Sequence, residues 1–181
     1  MIHTVVDSPL GPLTLVADDE GRLAGLYMEA QRHRPSEERF GAPVVVDPLP
    51  EVEPTPAEAV LAETAGQLRE YFAGTRRSVD VPLAPLGTDF QRRVWDVLAR
   101  IPYGETRTYA EIADQTGNPA AVRAVGSAIG RNPLCVVVPC HRVVGSGGAL
   151  TGYAGGLERK RRLLDLEDPA KAPTASTAST S

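Results

Sequence analysis

Three short β-prone runs, Ile2–Val6, Leu13–Ala17 and Leu23–Met28, open the chain. The segments between them, Ser8-Pro9-Leu10-Gly11-Pro12 and Asp18-Asp19-Glu20-Gly21, are made of turn formers, so the pattern predicts a strand meander. Residues 35–56 are proline-rich and acidic, with one apolar run at Val44-Val45-Val46, which reads as a surface connection holding at most one further strand. The period then lengthens. Thr55-Pro56-Ala57-Glu58 combines a threonine cap, proline at the first helical position and glutamate three residues after the cap. It predicts a helix to Phe72, stopped at Gly74. Thr88-Asp89-Phe90-Gln91 repeats the capping pattern, and Phe90, Val94, Val97, Leu98 and Ile101 follow with helical spacing until Pro102-Tyr103-Gly104 ends the run.

A third capping box, Thr108-Tyr109-Ala110-Glu111, starts a short helix that Gly117 closes. Asn118-Pro119 is expected to cap and open a second helix reaching about Ile129, and two short helices about a glycine-containing turn match a helix-turn-helix. Residues 135–138, Cys-Val-Val-Val, are short and β-branched and predict a strand that ends at Pro139, with Cys140 directly after it. A glycine-rich stretch from Gly145 to Gly156 contains Tyr153 and precedes a basic final helix from Leu157 to about Glu167. The fold class expected is α+β. A strand-rich domain (residues 1–86) precedes a mainly helical one (87–168) with a helix-turn-helix and a short active-site strand. Residues 169–181, rich in Ala, Ser and Thr, are expected to be disordered.

Composition narrows the function classes. The chain has 181 residues, 42% of them hydrophobic, ample for a buried core. No apolar stretch approaches the ~20 residues of a membrane span, and no export signal stands at the start, so the expected location is the cytoplasm. The two cysteines, Cys135 and Cys140, and the scattered His3, His33 and His141 supply neither a disulfide framework nor metal-ligand spacing. No metal is expected. The net charge of −4 hides an asymmetry: residues 88–164 carry 11 Lys/Arg against 6 Asp/Glu. A basic segment inside an acidic chain suits phosphate contacts, as well as an ordinary solvated face.

The chemistry gathers at Pro139-Cys140-His141. A cysteine at a fixed backbone corner is reactive as its thiolate, and the histidine can take its proton directly or through a water. An acid must steady the imidazole, and Glu167 is a candidate. The same dipeptide also fits an inert packing cysteine, which is the reading for Cys135. The second helix of the helix-turn-helix, with Ala120, Ala121, Ala124 and Gly126 around a single Arg123, lacks the long polar side chains of a major-groove reader. Small residues allow close backbone approach in a minor groove without sequence readout, and equally allow packing in a core. A reactive thiol beside such a helix suits chemistry on a base flipped from the stack. Tyr109 or Tyr153 could then contact the base, and backbone at Gly152, Gly155 and Gly156 could close over it.

Four segments in order carry a resemblance. They are Ile101-Pro102-Tyr103-Gly104, then Gly117-Asn118-Pro119 with 121–126, then Arg131-Asn132-Pro133 leading into Val138-Pro139-Cys140-His141-Arg142-Val143-Val144, and last Gly152-Tyr153-Ala154-Gly155-Gly156-Leu157. From about Thr88 to Glu167 the chain resembles the O6-alkylguanine-DNA alkyltransferases (methylated-DNA–protein-cysteine methyltransferases). The N-terminal part matches loosely, as a ribonuclease H-like domain. The resemblance implies single-use transfer of an alkyl group from O6-alkylguanine in double-stranded DNA to Cys140, with no cofactor and with a monomer when free. His141 would activate Cys140 through a water, Glu167 would orient His141, and Asn132 would bridge the helix-turn-helix to the active-site strand. Tyr109 would turn the nucleotide's phosphate and protonate the leaving guanine. Arg123 would fill the vacated stack, flanked by Ala120 and Ala121 at the DNA. Tyr153, Ala154, Val143 and Gly126 would line the base pocket. Some members have serine where Ala154 stands, which removes one hydroxyl contact. A non-catalytic alkylated-DNA binder of the alkyltransferase-like type is the alternative, and Cys140 speaks against it.

Overall fold

The computed structural model describes residues 1–48 and 52–171. Strands β1 (Ile2–Val6), β2 (Leu13–Ala17) and β3 (Leu23–Met28) form an antiparallel meander, and β4 (Ala42–Pro43) adds to β1 in parallel, giving the order β3-β2-β1-β4. The first turn closes through Gly11 N–H to Ser8 O at 3.0 Å, with Leu10 N–H on the Ser8 hydroxyl. In the second, Asp18 Oδ1 accepts from the Glu20 and Arg22 amides, the local side-chain bonding that makes aspartate a turn former. Every residue of β2 and β3 is buried, because the sheet is covered on both faces. Helix α1 (Pro56–Phe72) lies on one face, its N-terminus fixed by the Thr55–Glu58 capping box. On the other, Val16 of β2 and Tyr27 of β3 pack with Phe40. The extra strand in the proline-rich connection sits just before the apolar run: Val44 N–H still reaches His3 O, but Val45 is exposed and only Val46 turns into the core.

The second half contains α2 (Asp89–Leu98), β5 (Arg107–Thr108), α3 (Tyr109–Gln115), α4 (Val122–Gly130), β6 (Val143–Val144) and α5 (Leu157–Glu167). Helix α2 stops at Leu98, short of the apolar pattern. Tight bonds of Arg100 N–H to Val97 O and Ile101 N–H to Leu98 O then carry Ile101 into the core. Trp95 Nε1 donates to Ala128 O at 2.9 Å and joins α2 to α4. The helix-turn-helix is α3 and α4, with Gly117 at φ 84° between them.

Two expectations need correcting. The second helix begins at Val122, not at Pro119, because Asn118 O accepts from Ala121 N–H and closes a turn over Pro119 and Ala120. Proline's fixed φ suits the second position of such a turn. Ala120 and Ala121 therefore precede the helix. Residues 135–138 are a turn, not a strand. Only Leu134 makes a sheet-like bridge, to Leu26. Val136 then adopts φ 72°, Val137 N–H bonds Cys135 O and Val138 N–H bonds Leu134 O. Asn132 replaces the missing sheet partners: its Nδ2 donates to Val138 O at 2.9 Å and its Oδ1 accepts from Leu134 N–H at 3.0 Å. The β-branched residues reported burial, not extension.

The two halves share one core cluster and are stitched by Leu26 N–H to Pro133 O, and by Arg159 to Leu10 O and Glu29 O. Residues 169–171 form a turn, with Lys171 N–H on Asp168 O. The rest of the segment expected to be disordered, residues 172–181, lies outside the described residues.

Candidate active site

The Asn132-braced turn delivers the chain to Pro139, and Cys140 begins a three-residue 3-10 turn, Cys140–Arg142. Its amide bonds Val138 O at 2.8 Å, and the side chain is 3% exposed. The Cys135 thiol faces Gln31 Oε1 at 3.7 Å and Asn132 O at 3.9 Å. The neighbouring Cys135 thiol is the main influence holding Cys140 below the usual thiol value, against burial and with help from Asn132 and the charge of Lys160.

His141 is fully buried, and its Nε2 lies 2.9 Å from Glu167 Oε1. A carboxylate can only accept, so Nε2 carries the proton and Nδ1 is the free acceptor in the neutral ring. Nδ1 is buried with no hydrogen-bond partner among the described residues. Burial lowers the His141 pKa, with Arg142 and Lys160 pushing the same way against the pull of Glu167. Glu167 is itself 2% exposed, at the end of α5. It accepts from Tyr71 Oη at 2.6 Å, Arg142 Nε at 2.8 Å and Arg142 Nη2 at 2.8 Å as well as from His141. Burial would raise its pKa, but these bonds outweigh it and bring Glu167 to about 2. The imidazole therefore faces a fixed negative charge throughout the ordinary pH range. Arg142 Nη1 ends on Ile101 O at 2.6 Å.

On its other side Cys140 opens on a cavity of about 250 Å³ walled by Tyr109, Gly126, Ser127, Tyr153, Ala154 and Arg32, among others. A larger hollow of about 450 Å³, bounded by Asp80, Val136–Pro139 and Arg142, does not reach the thiol. Beside the smaller cavity, Tyr109 Oη donates to Thr151 O at 3.0 Å. The Tyr153 hydroxyl is buried without a partner among the described residues. Lys160, fully buried, donates to Val143 O, Thr151 O and Gly152 O at 2.5, 3.0 and 3.1 Å and ties the glycine-rich loop to β6. Burial lowers its pKa to about 8, opposed by Cys140.

The two halves of this geometry have a precedent in known proteins. A family model described as the 6-O-methylguanine DNA methyltransferase ribonuclease-like domain matches residues 1–85, and its DNA binding domain matches residues 89–169. A methylated-DNA–protein-cysteine methyltransferase of Mycobacterium bovis is 49% identical over 168 residues, covering 92% of this chain and 93% of that protein. One from Methanosarcina acetivorans is 47% identical over 167 residues, covering 92% and 98%. The chain belongs to the 6-O-methylguanine DNA methyltransferase family. Among solved structures, the Mycobacterium tuberculosis OGT in complex with DNA superposes with a TM-score of 0.79 at 46% identity, covering 96% of both chains.

Most of the residues expected to carry function come together. Cys140, Tyr109, Gly126, Tyr153 and Ala154 share the cavity, and His141, next to Cys140 in the chain, meets Glu167. Asn132 braces the turn from beneath. Val143 is the exception among the pocket residues. It is fully buried and does not line the cavity; its carbonyl instead receives Lys160. Arg123 stands exposed in the first turn of α4, away from Cys140's cavity lining. Sequence reasoning missed Tyr71, Arg142 and Lys160. A signal existed for the last: Lys160, Leu163 and Glu167 recur at the spacing of one face of α5, and all three are buried. Charged residues on a helix's apolar face are rarely idle. Tyr71 has no comparable local signal.

Proposed function

We propose that the chain repairs alkylated DNA by direct reversal, with Cys140 as the acceptor. The Cys140 proton passes to His141 Nδ1 through a water, and the thiolate attacks the alkyl carbon in line with the bond to guanine O6. The S–C bond forms as the C–O6 bond breaks, and the electron pair leaves with the guanine, which takes a proton from the Tyr109 phenol. Burial raises the Tyr109 pKa, so the phenol stays protonated as a donor. Its hydroxyl must leave Thr151 O to do this. The product is a thioether, with no bond that water can hydrolyse, so each molecule acts once.

One observation carries this reading: the thiol opens on the cavity while the adjacent His141 is clamped in one tautomer by Glu167. A protein that only bound lesions would have no use for that clamp. The substrate is O6-alkylguanine in duplex DNA, and the base is flipped into the cavity. Helix α4, with Arg123 and its small neighbours, enters the minor groove without reading sequence. Asn132 holds the acceptor turn, and Tyr153 and Ala154 contact the base. The free protein is a monomer, and its two free cysteines suit a reducing cytoplasm.

The test is intact-protein mass after mixing with a duplex carrying O6-methylguanine. One methyl on Cys140, with repair that stops at one equivalent, is expected. Repeated turnover, or transfer that survives Cys140→Ala, would sink the proposal.

A further inference from the structure

Glu167 is the most heavily bonded acid among the described residues, and one of its donors comes from far away. Tyr71 lies in α1, on the N-terminal domain, 96 residues before Glu167 in sequence. Its ring is 2% exposed, packed edge-on to Phe72 and Tyr103. Its hydroxyl donates to Glu167 Oε1 at 2.6 Å, the same oxygen that faces His141 Nε2 at 2.9 Å and Arg142 Nη2 at 2.8 Å. The two carboxylate oxygens are thus unequal: Oε2 accepts from Arg142 Nε, while Oε1 divides its negative charge among three donors.

We propose that Tyr71 is a positioning residue for alkyl transfer: by donating to Glu167 Oε1, helix α1 of the N-terminal domain sets how strongly Glu167 holds the His141 imidazole. This rests on the reading of His141 as the base for Cys140. A lone carboxylate beside His141 would favour the imidazolium, and an imidazole already protonated cannot take the thiol proton. Sharing Oε1 with Tyr71 weakens that pull and keeps the ring neutral and ready. The ring still needs the carboxylate for its tautomer, which the shared bond preserves.

The charged and titratable groups facing this pair are few. From the 3-10 turn come Cys140 and Arg142, and Arg142 lies 5.7 Å over the Tyr103 ring. From α5 comes Lys160, whose ammonium acts on both Cys140 and His141. From the loop after α2 comes Tyr103, whose hydroxyl is held by Leu166 O. Arg77 lies over the outer face of that ring. None of these donates to Glu167 Oε1 except Arg142, so removal of the Tyr71 hydroxyl leaves two donors in place of three among the described residues.

Without the Tyr71 hydroxyl, Oε1 attracts the protonated imidazole more strongly and the His141 pKa rises from its depressed position. The acid limb of the rate–pH profile then moves to higher pH. A rise of about one unit, of the size that one hydrogen bond to a charged group supplies, slows transfer roughly tenfold below the limb and by less than about twofold above pH 8.

The experiment compares the parent and Tyr71→Phe in single-turnover transfer from an O6-methylguanine duplex between pH 5 and pH 8.5. In parallel, the His141 ring is titrated by NMR in the DNA-free protein. The expected result is a profile and a His141 titration that both move up in pH, with the plateau rate nearly unchanged. A loss equal at every pH, or a His141 titration that superimposes on the parent, overturns the proposal. Replacing Tyr71 with 3-fluorotyrosine keeps the shape and strengthens the donor, so the shift should reverse in sign. That arm decides the matter should the phenylalanine variant fold poorly, and no reversal counts against the proposal. The parent itself separates the two ideas: if it takes up no methyl on Cys140, the functional reading has failed; if it does and the variants do not shift, only the role of Tyr71 has.

Discussion

Four hydrogen bonds converge on Glu167 on the buried side of the acceptor thiol. Toward the cavity, Tyr109 Oη holds only loop carbonyls, Thr151 O at 3.0 Å and Gly152 O at 3.5 Å, and the Tyr153 hydroxyl holds none among the described residues. In the proposed mechanism, the groups that prepare the sulfur are fixed before any substrate arrives, as preorganised catalysis requires. The groups proposed to meet the substrate would keep bonding capacity in reserve, because a base that enters and leaves needs partners it can borrow. Lys160 stands between the two regimes, tying the Thr151–Gly152 wall of the cavity to Val143.

Breaking the buried side should do the most damage. Glu167→Gln leaves the buried Arg142 guanidinium facing an amide, and removing one partner of a buried pair costs about 3–5 kcal/mol. A lowered midpoint in chemical denaturation and a large loss of transfer rate are expected together. Unchanged stability would show that the cluster is more hydrated than its burial implies. The same group sets an acid limit. Glu167 titrates near 2 in the folded chain, below its ordinary 4.5. Its contribution to stability is therefore complete above about pH 4.5 and is lost as the pH falls toward 2. Denaturant midpoints across that window should fall in the parent and fall less in Glu167→Gln.

Lys160→Met tests the boundary. The buried Val143 carbonyl loses its donor, at about 1–3 kcal/mol, and the loop carrying Tyr153 slackens. Repair should slow while the methyl still arrives on Cys140, as read by peptide mass after digestion. Arg123→Ala, on the open side, should slow repair of duplexes about tenfold, the order of an unstacking cost left uncompensated. Transfer from free O6-alkylguanine should hardly change. Equal loss on both substrates would remove the stack-filling role. The smallest effect belongs to Tyr153→Phe. It deletes a buried hydroxyl that has no partner, so stability should stay within about 0.5 kcal/mol of the parent or rise. A large loss would mean that this hydroxyl is bonded after all.

How legible the fold was depends on how local its causes are. The three capping boxes at Thr55, Thr88 and Thr108 appear as the sequence implied, because a cap is a hydrogen bond between residues three apart. The strands β1 to β3 follow from their apolar runs and from turns that Gly11 and Asp18 enforce. The start of α4 was less legible. Pro119 serves the first turn of a helix and the second position of a β-turn equally well, and only the Asn118–Ala121 bond decides between them. At the site, the motif around Cys140 named the thiol and its histidine, and the need for an acid beside the imidazole made Glu167 a candidate. It did not reveal that Val143 faces the core.

The sequence by itself determined the three capped helices, the first three strands and the cysteine–histidine pair at 140–141, since each rests on backbone geometry or side-chain chemistry within a few neighbours. Tertiary structure alone decided that 135–138 is a turn, because β-branched residues mark a buried place whether the backbone is extended or reversed, and the choice lay with Asn132. It alone brought Tyr71 to Glu167 across 96 residues. A hydrogen bond between side chains on separate elements leaves no periodic trace in either, and it exists only once the core has brought the two elements together.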